Sequence, residues 1–384
     1  MLMKALIVGC GNIGSIAAED LARSTDRIDV TVADYDKTRA ETVADRIGRD
    51  NVTSTQIDVT HHDQLLSTLE EFDAVAGFLP GNLGYNLVEA CIAAGKDLVD
   101  VSFMAEDPMT LDDKAKKANV TVVPDCGLAP GISNVLVGHA VAKLDKVKKV
   151  HIMVGGLPET PVPPLGYVVT WAPESLIDEY TRKAGIIRDS KQVEVEALSG
   201  VEEVDFHGVG KLEAFYTDGL RTLIHTVSGA EDMWEKTLRH PGHADKIKLL
   251  KRLGFFEKKH VNVDGLSVPP RKLTAKLLGL KLCKPEVKDI VALKVEVQGV
   301  KSGRHVGFVY QLLDFFDETN GVTAMARTTA YPASIATRLL LGKALKQKGV
   351  VPPEKIGADE ALFKVFMDEL GKKDIKVVEE KIAF

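Results

Sequence analysis

Short apolar runs, each closed by a glycine, a proline or an acid, recur through the first third of the chain. They are Lys4–Val8 (KALIV), Ile28–Ala33, Val52–Ile57, Ala74–Leu79, Asp97–Asp100 and Val120–Pro124. Runs of this length and β-branched content are what strands buried on both faces require. Between them the apolar positions recur at helical spacing. In Ser15–Ser24, Ile16, Ala17, Leu21 and Ala22 share a face, and Leu83–Ala94 repeats the pattern. Six strands separated by helical segments predict an α/β fold with a Rossmann-type doubly wound parallel sheet over residues 1–130.

From Gly131 the pattern changes. Ile132–Leu144 reads as a connecting helix, and Val147–Gly155, Gln192–Ala197, Lys211–Phe215, Val291–Gly299 and His305–Phe316 read as strands. Glu231–Lys259 is basic and reads as helical. These elements predict a second, α+β domain with a mostly antiparallel sheet over 131–323. The alternation through Lys294–Asp317 suits one face on helices and the other on a second copy, so a homodimer is expected. Ala324–Leu345 reads as helical after Pro332, and residues 324–384 are expected to form helices packing back on the first domain.

Composition narrows the class. The chain has 384 residues, 45% of them hydrophobic, enough for two substantial cores. A net charge of −6 points to neither nucleic acid nor an anionic membrane as partner. No stretch approaches the roughly 20 apolar residues that span a bilayer, and the N-terminus lacks the apolar region of a signal peptide. Cys10, Cys91, Cys126 and Cys283 are widely spaced with no CxxC pair, which suits a reducing cytoplasm. His240 and His243 lie close together without a third ligand at recognisable spacing, so no metal is expected.

The chemistry begins where the first strand ends. Gly9-Cys10-Gly11-Asn12-Ile13-Gly14 is a full G-x-G-x-x-G after a strand and opening a helix, with Asp34 at the end of the next strand, 20 residues beyond Gly14. Gly9 allows the turn, Gly11 the approach of a pyrophosphate, and Gly14 the close packing of helix on strand. The helix start, including Asn12 and Ile13, supplies N–H donors and partial positive charge. Asp34 would accept from ribose hydroxyls and repel a 2′-phosphate, which favours NAD over NADP, although Arg39 lies one helical turn on. Asp58 and Val59 are candidate adenine-side contacts, and Leu79, Pro80 and Asn82 candidate contacts at the next strand end. Pro80, Asp100, Asp125 and Cys126 all fall at carboxyl ends of strands, where such sheets bind ligands.

Together with VPDCGLAPGISN (Val123–Asn134), GGLPETPVPPLGYVVTW (Gly155–Trp171), TLRHPGH (Thr237–His243) and ARTTAYPAS (Ala326–Ser334), the GCGNIG loop makes the chain resemble the saccharopine dehydrogenase-like superfamily of amino-acid dehydrogenases, and within it the lysine 6-dehydrogenases. The resemblance implies a homodimeric, NAD-dependent enzyme acting on a small-molecule amine. The ε-amino group of L-lysine would be oxidised to an imine, water would release ammonia, and the 2-aminoadipate 6-semialdehyde would cyclise to a piperideine carboxylate. Saccharopine dehydrogenases and carboxynorspermidine dehydrogenase share the scaffold, and the fold alone also permits a non-catalytic NAD-sensing regulator.

Such chemistry needs a base for the amine, an activated water, and charges for the substrate's α-carboxylate and α-ammonium. Asp100 and Asp125 are candidates for handling the amine, with helix or turn capping as the ordinary alternative. Cys126 resembles the superfamily's active-site cysteine, against the common role of buried cysteine as a small core residue. Arg221, followed by Thr222, is the candidate for the α-carboxylate, against a surface pair with Asp218. His225 is a candidate for activating water, against a core histidine. Tyr167 and Trp171 are candidates for walling the lysine stem, against simple core filling.

Overall fold

Six of the apolar runs form the strands they predict: β1 (Met3–Val8), β2 (Ile28–Asp34), β3 (Val52–Gln56), β4 (Ala74–Gly77), β5 (Asp97–Asp100) and β6 (Thr121–Val123). All pair in parallel in the order β6-β5-β4-β1-β2-β3, and a two-residue strand, Gly349–Val350, extends the sheet beyond β6. The computed structural model describes residues 2–25, 27–284 and 286–383.

β1 is the central strand, with Ala5, Leu6, Ile7 and Val8 all buried. Side chains alternate across the sheet. Leu6 and Val8 join a core with Leu65, Val75, Leu87 and Leu98. Ala5 and Ile7 join the opposite one with Leu21, Val30, Val43 and Leu341. This unit comprises the residues up to Ala142 together with Ala326–Ile375. The helix Ile132–Ala142, expected to open the second domain, therefore belongs to the first. It is buried over nearly its whole length, and Gly138 and Gly357 give the close backbone approach of helices 132–142 and Pro353–Ala358. The helix Ala324–Leu341 begins eight residues before Pro332, which lies inside it, so the helical pattern read after Pro332 extends to both sides of the proline.

The second unit comprises Lys143–Met325 and the residues from Lys376 onward. Its nine-stranded sheet runs Glu202–Phe206, Gly210–Tyr216, Asp232–Arg239, Lys146–Pro158, Asp289–Lys301, Arg304–Phe315 and Val377–Ala383. Ala184–Arg188 and Lys191–Val195 complete it as a hairpin attached to Asp232–Arg239. The pairing is mostly antiparallel, except that Asp232–Arg239 lies parallel to Lys146–Pro158. That strand corrects the helical reading of Glu231–Lys259: the helix covers only His243–Arg252. Helices 173–181, 243–252 and 270–282 enclose a core of Tyr167, Tyr180, Phe215, Ile247 and Leu278. Val377–Ala383 is a strand of this sheet, so the terminal region expected to be helical ends in β structure.

Candidate functional site

The glycine loop sits between β1 and the helix Asn12–Ser24. Gly11 caps that helix with extended backbone and no side-chain bond. Its first-turn amides are thus available as anion donors. At Gly9, φ is +104°, and a Cβ at Gly14 would collide with the Gly9 carbonyl oxygen. Both positions therefore need glycine for the turn and the packing argued from sequence.

Asp34 closes β2 and is buried, 6% exposed. Its Oδ2 accepts from the Cys10 amide at 2.9 Å and its Oδ1 from the Asp36 amide at 3.0 Å. The carboxylate is thereby fixed against the glycine loop as the loop turns. Arg39 Nη1 approaches Oδ1 at 3.4 Å, so the cation noted in sequence already has an anionic partner. The Cys10 thiol donates to the Ala33 carbonyl at 3.4 Å, and burial, with Asp34 beside it, pushes its pKa up to about 12. It is a packing residue beneath the loop. Val59 is buried and Asp58 half-buried. The Thr60 hydroxyl and amide hold the Asp58 carboxyl below the usual range. Leu79 is half-buried, and Pro80 and Asn82 are exposed at the start of the helix Gly81–Ala93.

The deeper candidates are enclosed. Asp100, at the end of β5, is 0% exposed. Its Oδ1 accepts from the Ser102 amide at 2.8 Å and from the Ser102 hydroxyl, and its carboxylate occupies the space that a side chain at Gly77 would fill. The Asp100 carbonyl accepts from the Cys126 amide at 2.9 Å. Asp125 is 1% exposed with φ at +54°, a left-handed backbone that aspartate tolerates. Cys126 is 0% exposed, and its thiol donates to the Pro332 carbonyl at 3.8 Å. Burial, with Asp125 adding, pushes that thiol well above its ordinary value. Burial therefore keeps the Cys126 thiol protonated, the ordinary state of a cysteine packed in a core.

The segment Val123–Asn134 then folds on itself. Gly127 donates to the Pro130 carbonyl at 3.1 Å, and Ile132 to the Gly127 carbonyl at 2.9 Å. The Ala129–Pro130 bond is cis. Asn134 Nδ2 donates to Glu354 at 3.2 Å, a pairing of buried groups 220 positions apart.

In the second unit, Tyr167 is 1% exposed. Its hydroxyl accepts from Trp171 Nε1 at 3.2 Å, and the Arg239 guanidinium lies 4.6 Å from its ring centre. It lies in the core, which corrects its placement as a substrate wall; Trp171 is half-buried. Arg221 has a left-handed backbone, φ +51°, and a side chain 6% exposed. Its Nη1 lies 4.0 Å from Asp218, and Arg182 reaches the same carboxylate at 3.4 Å. Thr222 is buried beside it. His225, on the short helix Leu223–Thr226, is exposed, which corrects the core-histidine alternative.

Around these residues lies a buried polar cluster that sequence reading missed. Glu179 and Arg239 form an ion pair at 2.8 Å, with side chains 10% and 4% exposed. Tyr180 hydrogen-bonds His243 Nε2 at 2.8 Å, and His243 Nδ1 lies 3.0 Å from the Leu165 carbonyl. Burial, helped by Arg239, holds the His243 pKa down to about 3, so the ring is neutral and donates from Nδ1. His240 Nε2 lies 2.8 Å from the Pro158 carbonyl. Both histidines of RHPGH thus serve hydrogen bonding. The available signal was Arg239 itself, a cation in an otherwise buried strand segment, Glu235–Arg239.

Among the described residues, no helix is long and apolar enough to cross a membrane. Residues 5–123 match the saccharopine dehydrogenase NADP binding domain, and residues 127–375 the saccharopine dehydrogenase C-terminal domain. The chain is 23% identical to a carboxyaminopropylagmatine dehydrogenase of Synechocystis sp., each covered over 100% of its length. It is 24% identical to the NADP-dependent, L-glutamate-forming saccharopine dehydrogenase of Saccharomyces cerevisiae, over 96% of this chain and 97% of that one. It is also 24% identical to the alpha-aminoadipic semialdehyde synthase of Arabidopsis thaliana, over 94% of this chain, but spans only 41% of that protein. The apo structure of the S. cerevisiae L-glutamate-forming saccharopine dehydrogenase has the same fold, with a TM-score of 0.79 at 22% identity, covering 99% of this chain and 100% of that one. The glycine loop, the parallel sheet and all but the last strand of the mixed second sheet fall within the two family matches, and the chain belongs to the saccharopine dehydrogenase family of oxidoreductases.

Proposed function

We propose that this oxidoreductase uses NAD to oxidise the ε-amino group of L-lysine, releasing ammonia and 2-aminoadipate 6-semialdehyde. The observation that carries the cofactor half is Asp34, whose carboxylate is buried and fixed by the Cys10 and Asp36 amides. An anion held there accepts hydrogen bonds from ribose hydroxyls and repels a 2′-phosphate. Gly9, Gly11 and Gly14, with the amides opening the first helix, would hold the pyrophosphate. Asp58 and Val59 would contact the adenine side, and Leu79, Pro80 and Asn82 the opposite end. When bound, the nicotinamide supplies a hydride acceptor.

The substrate half rests on Arg221, whose guanidinium fork suits an α-carboxylate. Loss of hydride from the carbon bearing the amine, to the bound nucleotide, together with loss of a proton from the nitrogen, would leave an imine. Water adds to it, ammonia departs, and the aldehyde can close on the α-amine. His225 is the exposed titratable group among the candidates and is assigned to proton exchange with that water. Asp100 and Asp125 are assigned to holding the backbone at the strand ends. We further propose that the protein works as a homodimer.

A second reading has its own support, because the matched nucleotide domain and the yeast relative are named for NADP, and that relative for saccharopine. One assay separates the two readings: purified protein with L-lysine or saccharopine, and NAD or NADP, followed by absorbance of the reduced nucleotide at alkaline pH. Reduction of NAD with lysine supports the first reading, and turnover with saccharopine alone overturns it. Absence of turnover with every pair would favour a nucleotide-sensing role. Replacing Asp34 by glycine should weaken NAD use and narrow the preference by roughly 10-fold, the worth of one charge-assisted hydrogen bond; an unchanged preference removes Asp34 from ribose recognition.

A further inference from the structure

The loop that carries Arg221 is built against a buried acid. Glu235, in the strand Asp232–Arg239, is 3% exposed. Its Oε2 accepts from the Thr217 hydroxyl at 2.6 Å, and Thr217 is also 2.8 Å from the Thr237 hydroxyl. Two residues on, Gly219 lies so close to the Glu235 carboxyl that any Cβ there would strike it. The Gly219 amide donates to the Thr217 carbonyl at 3.0 Å, drawing the chain into a tight turn over the acid. Asp218, at the head of that turn, meets both Arg182 and Arg221. The turn then delivers Arg221 in its left-handed conformation.

We propose that Glu235 is a positioning residue: through Thr217 and the bare backbone of Gly219 it fixes the loop 217–221, and so sets where Arg221 presents its guanidinium to the carboxylate of an amino-acid substrate. The proposal rests on the assignment of Arg221 to the substrate carboxylate.

The protonation of this acid adds to the geometry. Burial is the main reason the Glu235 pKa rises to about 8; Thr217 lowers it, while Glu179 and Asp218 raise it and Arg239 lowers it. These are the charged groups that face it from the helix Pro173–Thr181, from the loop and from its own strand. At neutral pH the acid is protonated and uncharged. Above about pH 8 a carboxylate forms beneath Gly219, next to the acids Glu179 and Asp218, and the bond it accepts from Thr217 strengthens.

The test uses the full-length protein with L-lysine and with 1,5-diaminopentane, which keeps the reacting amine and lacks the carboxylate. Glu235→Ala should raise KM for lysine on the order of 10-fold, the loss of a hydrogen-bonded anchor in a charged site. It should leave kcat, and KM for the diamine, nearly as they were. Thr217→Val should reproduce the effect, which keeps the test intact if the alanine variant does not fold. Glu235→Gln, whose side-chain oxygen can still accept from Thr217, should preserve the wild-type KM at pH 7. If Arg221→Ala raises KM for lysine while Glu235→Ala and Thr217→Val do not, the positioning role is overturned and the Arg221 assignment survives. If Arg221→Ala itself has no effect, the assignment beneath the proposal has failed. A glutamine variant as impaired as the alanine variant also overturns the proposal.

Discussion

The strand ends beside the glycine loop and the buried polar cluster of the second unit hold their acids in different ways. In the first, carboxylates are held by backbone amides: Asp34 by those of Cys10 and Asp36, Asp100 by that of Ser102. In the second, Glu179 is held by Arg239, and the Arg239 guanidinium lies over Tyr167. An acid capped by backbone is set by the turn it terminates and follows from the strand-and-turn rhythm of the sequence. An acid held by another side chain depends on elements brought together by tertiary packing, here a helix and a strand 60 positions apart. The first arrangement is local and suits a binding loop. The second welds a core.

The largest test of that contrast is to remove one side of the weld. Glu179→Ala should cost about 3–5 kcal/mol in unfolding free energy, because it strands a buried guanidinium. Combining Glu179→Leu with Arg239→Met should recover most of the loss, since both charges then leave together. Chemical denaturation of the nucleotide-free protein reads both. A loss below about 1 kcal/mol in the single variant would put the pair in the class of solvated surface bridges.

Acidification probes the same cluster through His243. Its folded pKa lies near 3, against about 6.5 for an unfolded histidine. Between those values the unfolded chain takes up a proton that the folded one refuses. The stability that the neutral ring contributes is complete above about pH 6.5 and is lost as pH falls toward 3, by roughly 3–5 kcal/mol at most. Melting curves from pH 7 to pH 4 should therefore drop more steeply for the wild type than for His243→Gln. Parallel curves would mean that the ring is charged or solvated in the fold.

The smallest effect belongs to the first unit. Cys126→Ala should cost about 1–2 kcal/mol for a small cavity and leave kcat unchanged. A kcat loss of about 100-fold or more would place the thiol in proton transfer.

How much could be read in advance follows the same divide. KALIV before GCGNIG, and Asp34 after the second apolar run, fixed β1, β2 and the nucleotide loop from adjacent residues. Asp232–Arg239 did not declare itself, because its Glu235, Lys236 and Arg239 are buried charges in a stretch already rich in lysine, and only their partners make them core residues. Lys236 donates to the Gly200 carbonyl and pairs with Glu202, neither adjacent in sequence. Gly349–Val350 is too short to leave a periodic signal and exists because β6 offers an open edge. The helical pattern is plainest after Pro332, yet the proline lies within a helix whose flanks are packed on both sides of it, from Ala326 through Leu341. Among the site candidates, position relative to strand ends was readable, while exposure was not: Asp100, Asp125 and Cys126 stand where expected yet are sealed.

The pairing of Asn134 with Glu354, and of Cys126 with Pro332, has a consequence for the order in which this protein matures. A ribosome delivers β1 to β6 and the following helix early, but the residues that close over them arrive some two hundred positions later. Until then the edge of β6 lacks its last strand and Asn134 lacks its bond to Glu354. The nucleotide unit is thus the first to begin and cannot be the first to finish, because all of Lys143–Met325 must emerge before Ala326–Ile375 can complete it. Nucleotide binding would then appear only after Ala326–Ile375 has emerged.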